Sequence, residues 1–168
     1  EACDGLAGVS ASQVEIQSGI QFYDGITTAE IQEILIRSAS DLIDLDHPNY
    51  QFVSARLLLF ALRKQIFGRM REMPTVIDHV KKCVEKGVYD AEILDLYSEE
   101  EYNRLQSFID HSRDFLFTYA GLRQVCDKYL VQDRSSGEVY ETPQFMYMMI
   151  AATIFSKYPK ETRLNYVR

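Results

Sequence analysis

The sequence predicts a mainly α fold carrying one β-hairpin, and three observations lead there. Residues 50–68 hold Phe52, Val53, Leu57, Leu58, Phe60, Leu62, Ile66 and Phe67, which cover nearly every direction around a helical wheel and mark a central, buried helix. Helix-start signals recur along the chain: Ser10 with Gln13, Thr27 with Glu30, Ser98 with Glu101, and Thr142 before Pro143. Only residues 129–141 combine two β-rich runs with a turn containing glycine.

In order, a helix is expected over about 11–22, with Val9 and Val14 as a staple across its start. Asp24-Gly25 breaks it, and a second helix runs from the Thr27 box to about Ile43 on the period of Ile31, Ile34, Leu35, Ala39 and Leu42. The central helix follows a turn at 44–49 and ends at Gly68. Pro74 opens a helix through Val76, Ile77, Val80 and Val84 that stops at Gly87. Beyond a short turn at Ile93 to Leu96, Ser98 opens another, and residues 115–128 stay helical after an irregular stretch at 111–114. Pro143 begins an apolar helix to about Tyr158, and Pro159 begins one more. A change of character near residues 67–73 divides the chain into a module over 1–68 and a helical segment over 69–168.

The chain has 168 residues, 46% hydrophobic and 12% aromatic, enough to bury a core. Its net charge of −7 argues against a nucleic-acid or membrane-surface binder. Cys3, Cys83 and Cys126 form neither a disulfide framework nor a zinc pattern, which fits a reducing, cytoplasmic setting. The longest apolar run, residues 145–155, is too short to span a bilayer.

Three cations interrupt the central helix. Arg56 and Arg63 lie on one face and are expected to pair with acids such as Asp41, Asp44 or Asp46. Thr28, at a helix start, and Lys64 together suit an anion such as a nucleotide phosphate; they equally suit a plain helix start and a rim lysine. The dyads Asp78-His79 and Asp110-His111 lack metal-ligand spacing, so no metal site is expected. Met146, Met148 and Met149 read as core or packing surface. No phosphate-loop, dinucleotide or nucleophile-elbow motif is present.

The segments Gln21-Phe22-Tyr23-Asp24-Gly25-Ile26, Tyr50-Gln51-Phe52 with Ala55-Arg56-Leu57, and Phe60-Ala61-Leu62-Arg63-Lys64 recur in one known family in this order. So do Phe108-Ile109-Asp110-His111-Ser112-Arg113-Asp114, Lys128-Tyr129-Leu130-Val131, Gly137-Glu138-Val139-Tyr140-Glu141 and Tyr158-Pro159-Lys160-Glu161-Thr162-Arg163-Leu164. Taken together, the chain resembles the N-terminal region of the large, catalytic subunit of class I ribonucleotide reductases, in the bacterial and bacteriophage style. The resemblance implies that residues 1–68 are most of an ATP-cone, the regulatory module that takes ATP or dATP as allosteric effector. Residues 69–168 would be the helical domain leading into the catalytic barrel.

Thr28 and Lys64 match nucleotide-binding positions of the family's cone, whereas a histidine common one turn after that threonine is Gln32 here. The cone's opening basic hairpin and first helix would precede Glu1, and the barrel with its radical cysteine would follow Arg168. Cys3, Cys83 and Cys126 match no catalytic position, so this stretch is expected to be inert by itself. In the whole enzyme the implied partners are the radical-generating small subunit and a second large subunit. The rival expectation is a free-standing acidic helical module that binds proteins through residues 143–158 and has no nucleotide site.

Overall fold

A computed structural model describes the chain from Glu1 to Arg168 as nine α-helices and one 3-10 segment. The helices are α1 (Ala11–Gly19), α2 (Thr28–Asp41), α3 (Tyr50–Phe67), α4 (Val76–Glu85), α5 (Ile93–Leu96), α6 (Glu99–Phe108), α7 (Tyr119–Lys128), α8 (Pro143–Phe155) and α9 (Lys160–Val167). The 3-10 segment, His111–Leu116, occupies the irregular stretch before α7, where the Asp110 carboxylate accepts the Ser112 N–H.

Most helices start where their capping residues dictate. Thr27 and Ser98 form complete capping boxes with Glu30 and Glu101, which satisfy end N–H groups that no helix can satisfy for itself. Ser10 accepts the Gln13 N–H, but the Gln13 side chain does not close the box; it accepts a hydrogen bond from the buried Tyr50 hydroxyl. That hydroxyl also takes the Ser10 N–H at 2.9 Å, tying the start of α1 to the start of α3. At its far end α3 stops at Gly68, whose φ of 71° a side chain would strain.

The helix α3 is the central member expected. Its first turn packs with α1 and α2 around Val14, Ala39, Tyr50 and Val53. Its middle and end pack against Ile36 of α2, Leu122, Val125 and Cys126 of α7, and Met146 of α8. A third cluster joins α4, α6, α8 and α9 through Val80, Leu105, Phe145, Met149 and Leu164. Met146, Met148 and Met149 are all buried. Arg163 of α9 clamps Glu101 with two charge-assisted bonds of 2.8 and 2.6 Å, and its guanidinium lies 4.2 Å from the Tyr97 ring.

Two expectations change. No strand forms over residues 129–141: the chain reverses at Gly137, and its arms are joined by the Asp133 N–H to the Glu138 carbonyl, the Tyr140 N–H to the Val131 carbonyl and one isolated antiparallel bridge, Gln132 to Val139, that does not extend. The reason is local competition. The Glu141 carboxylate takes the Val131 N–H at 2.8 Å, and the Gln132 side chain turns back to the carbonyls of Cys126 and Asp127. Nor do Arg56 and Arg63 pair with Asp41, Asp44 or Asp46. Arg56 donates to the carbonyls of Ala2 and Asp4, and Arg63 reaches the His111 carbonyl and the Asp114 carboxylate. Asp44 bonds His47 in its own loop.

The two Asp-His dyads split apart. Their carboxylates serve local turns, Asp78 accepting the Thr75 hydroxyl at the start of α4 and Asp110 the Ser112 N–H at the 3-10 segment. The rings of His79 and His111 both pack on Phe145, at 4.1 and 5.1 Å between centroids. Burial pushes both imidazoles down to about 4 from the ordinary 6.5.

Leu59 is fully buried at the middle of α3, so Leu59→Ala should cost about 2–5 kcal/mol in urea unfolding through the cavity it leaves. The histidines also fix a pH response. Their folded-state pKa values are depressed, so the stability they contribute is present above 6.5 and lost as the pH falls toward 4. Asp114 opposes them: burial pushes its carboxyl up to about 6 from 3.8, so its ionisation disfavours the fold as pH rises through that window. Two histidines outweigh one carboxyl, and Tm should fall on acidification from 6.5 to 4, with His79→Phe flattening the profile. A Tm independent of pH across that range would contradict this account.

Candidate functional site

The helices α2 and α3 form an antiparallel pair joined by residues 42–49, and the buried Ser54 hydroxyl donates to the Ile36 carbonyl where they cross. The beginning of α2 and the last turn of α3 therefore share one end of the pair. Thr28 is the first residue of α2, Gln32 lies one turn further on, and Lys64 sits in the last turn of α3. Thr28 and Lys64 are exposed and Gln32 is half-buried.

The helix start is dictated by Thr27 rather than Thr28. The Thr27 hydroxyl accepts the Glu30 N–H at 3.2 Å and donates to the Glu30 carboxylate at 2.7 Å. That carboxylate also accepts the Thr27 N–H at 2.8 Å and the Tyr23 hydroxyl at 2.9 Å. The Thr27 bonds, followed by the Tyr23 bond, hold Glu30 below the usual carboxylate range.

These contacts leave the Thr28 hydroxyl with no hydrogen bond inside the chain, and the N–H groups of Thr28 and Ala29 find no acceptor. Gln32 makes no side-chain hydrogen bond, and Lys64 forms no ion pair. Two N–H groups, one hydroxyl, one amide and one ammonium are thus uncommitted at one end of a helix pair. Such a set can accept an anion bearing several oxygens. Residue spacing alone does not reveal Tyr23 and Glu30 as neighbours of this set; the capping box was the only signal of Glu30.

Elsewhere, a depression of about 580 Å³ is lined mainly by apolar side chains from residues 88–96, Tyr129, Val131 and α8. It touches neither Thr28, Gln32 nor Lys64. No group of three His, Cys, Asp or Glu side chains is gathered as a metal would require. Cys83 and Cys126 are buried, and burial pushes both thiols up to about 11, the opposite of what a reactive thiolate needs.

The family model described as the all-alpha domain of ribonucleotide reductase matches residues 115–168. Across 99% of its length the chain is 53% identical to ribonucleoside-diphosphate reductase 1 subunit alpha of Escherichia coli K12, and 52% identical to the subunit alpha of Haemophilus influenzae. The subunit alpha of Enterobacteria phage T4 is 44% identical over 95% of the chain. The chain spans 22% of the two bacterial relatives and 21% of the phage one. Identity of this extent, with the all-alpha domain at its end, makes the chain a member of the ribonucleotide reductase large-subunit family, carrying an N-terminal portion of it.

Proposed function

We propose that this chain is the regulatory and connecting portion of a ribonucleoside-diphosphate reductase large subunit, cytoplasmic, with an allosteric site for ATP or dATP at Thr28 and Lys64. Residues 1–68 act as the partial ATP-cone and residues 69–168 as the helical domain next to the catalytic barrel. The whole enzyme reduces ribonucleoside diphosphates to deoxyribonucleoside diphosphates by radical chemistry, with the small subunit and a second large subunit as partners.

The observation that carries the nucleotide site is the uncommitted set at the α2 and α3 ends. The Thr28 hydroxyl and the N–H groups of Thr28 and Ala29 supply donors for phosphate oxygens, and Lys64 supplies the countercharge. Gln32, half-buried one turn along α2, offers an uncharged amide where the family resemblance implies a histidine.

Calorimetric titration with ATP and with dATP tests this. Lys64→Ala should weaken binding about tenfold, ~1.4 kcal/mol, while the Tm stays within a degree or so, because Lys64 is exposed and pairs with nothing in the chain. Nucleotide affinity unchanged by the substitution, or no binding by the unsubstituted chain, would overturn the site. The chain supplied with small subunit and reductant should reduce no ribonucleoside diphosphate, since Cys83 and Cys126 are buried and Cys3 is single; measurable turnover would refute the division of labour.

A further inference from the structure

Where α3 enters its last turn it carries two consecutive cations with different surroundings. Lys64 is exposed, whereas Arg63 is 5% exposed and directed into the interior. The Arg63 Nη2 donates to the His111 carbonyl at 2.8 Å and pairs with the Asp114 carboxylate at 3.3 Å. Its guanidinium lies 5.1 Å from the Phe115 ring, and Arg56, two turns earlier, lies 6.0 Å from the same ring. All three partners belong to the 3-10 segment, which is remote from Arg63 in sequence.

A helix end frays unless something outside the helix ties it down. Beyond Lys64 the connector from Gly68 to Glu72 is exposed and gives no tie. Phe67, on Phe145 and His79, and the Lys82 bond to the Ile66 carbonyl hold the helix terminus, while Arg63 ties the turn that leads into Lys64. Because successive side chains rotate by about 100° around a helix, fixing the direction of Arg63 also fixes that of Lys64. A buried guanidinium held at a carbonyl, a carboxylate and a ring face is a demanding constraint, since displacing it leaves a charge unpaired.

We propose that Arg63 is a positioning residue for nucleotide binding: its bonds to His111 and Asp114 hold the last turn of α3 in the rotation that presents the Lys64 ammonium to the phosphates. This rests on the reading of Thr28 and Lys64 as the ATP or dATP site. It adds that the site is completed from the 3-10 segment, outside residues 1–68, by a residue that touches no nucleotide.

A double-mutant cycle on the chain, read by calorimetry with dATP well below the Tm, tests it. Arg63→Met keeps the aliphatic volume and removes the donors; it should weaken dATP binding about fivefold when Lys64 is present and have no further effect in a Lys64→Ala background. A purely structural Arg63 would lower the Tm and leave the affinity alone, or change it by the same factor in both backgrounds, and either result overturns the proposal while the nucleotide site stands. Affinity indifferent to Lys64→Ala removes the nucleotide site itself and the positioning role with it. Should Arg63→Met not fold, Asp114→Asn takes its place in the cycle. That variant keeps an acceptor for Nη2 and removes the charge, and should weaken binding about twofold, again only with Lys64 present.

Discussion

The enclosure of α3 on nearly every side is the constraint on which the rest of the structure depends. A helix packed against α1 and α2 at its start and against α2, α7 and α8 further along cannot shift without disturbing two core clusters. Leu58, Leu59 and Leu62 belong to one cluster and Tyr50 and Val53 to another, each fully buried side chain contributing roughly 1.5–3 kcal/mol of transfer free energy. The only cations permitted there are ones with built-in acceptors: Arg56 on two carbonyls, Arg63 on a carbonyl and a carboxylate. Lys64 escapes the constraint because it lies on the exposed side of the last turn, whose other side packs through Ile66 and Phe67.

Phe145 plays the corresponding part in the second half. It is fully buried at the start of α8 and touches His79 of α4, His111 of the 3-10 segment and Phe67 at the end of α3. Burial, helped by the neighbouring Lys82 and Arg63 charges, keeps both histidines neutral at physiological pH, so they behave as flat, weakly polar packing groups against that ring. Close by, the Tyr89 hydroxyl donates to the Glu141 carboxylate, which burial pushes above the usual range. The same carboxylate holds Val131. Packing therefore runs without a gap from α3 through the 3-10 segment and α8 to α4, and residues 1–68 and 69–168 differ in proposed role while sharing a core.

What could be read from the sequence was what local chemistry decides. Helix starts at Thr27, Ser98 and Thr142 and stops at Gly68 and Gly87 depend on neighbours within a turn, and they lie where their residue types require. The partners of Arg56 and Arg63 were illegible because no local rule points from α3 to Ala2 or to Asp114. The nearest acids in sequence were the wrong ones. The hairpin failed for a related reason: β-propensity at residues 129–132 says nothing of a Glu141 side chain that takes the first ladder N–H for itself. At the candidate site Thr28 and Lys64 were legible one at a time, as a helix start and a helix end. The antiparallel pairing that puts those ends on one side rests on long-range packing, Ala39 on Tyr50 and Val53 and Ile36 on Leu58 and Leu59, with the Ser54 bond to the Ile36 carbonyl between them.

The electrostatics of that end decide which residue matters most for an anion. The positive pole of α2 is already partly answered by Glu30, whose carboxylate takes the Thr27 N–H and stays ionised under the hold of Thr27 and Tyr23. A phosphate arriving at Thr28 and Ala29 therefore meets two free N–H groups and a hydroxyl, but also a fixed negative charge one turn inside, on a chain of net charge −7. Hydrogen bonds to neutral donors net only about 0.5–1.5 kcal/mol each, which repulsion from Glu30 can offset. The balance tips on Lys64, an exposed cation without an ion pair, and so on whatever fixes its direction; Lys82, also without one, is spent on the Ile66 carbonyl. On the proposed reading, then, the interior pairing of its neighbour Arg63, rather than the helix start by itself, sets how well such a site would hold a nucleotide.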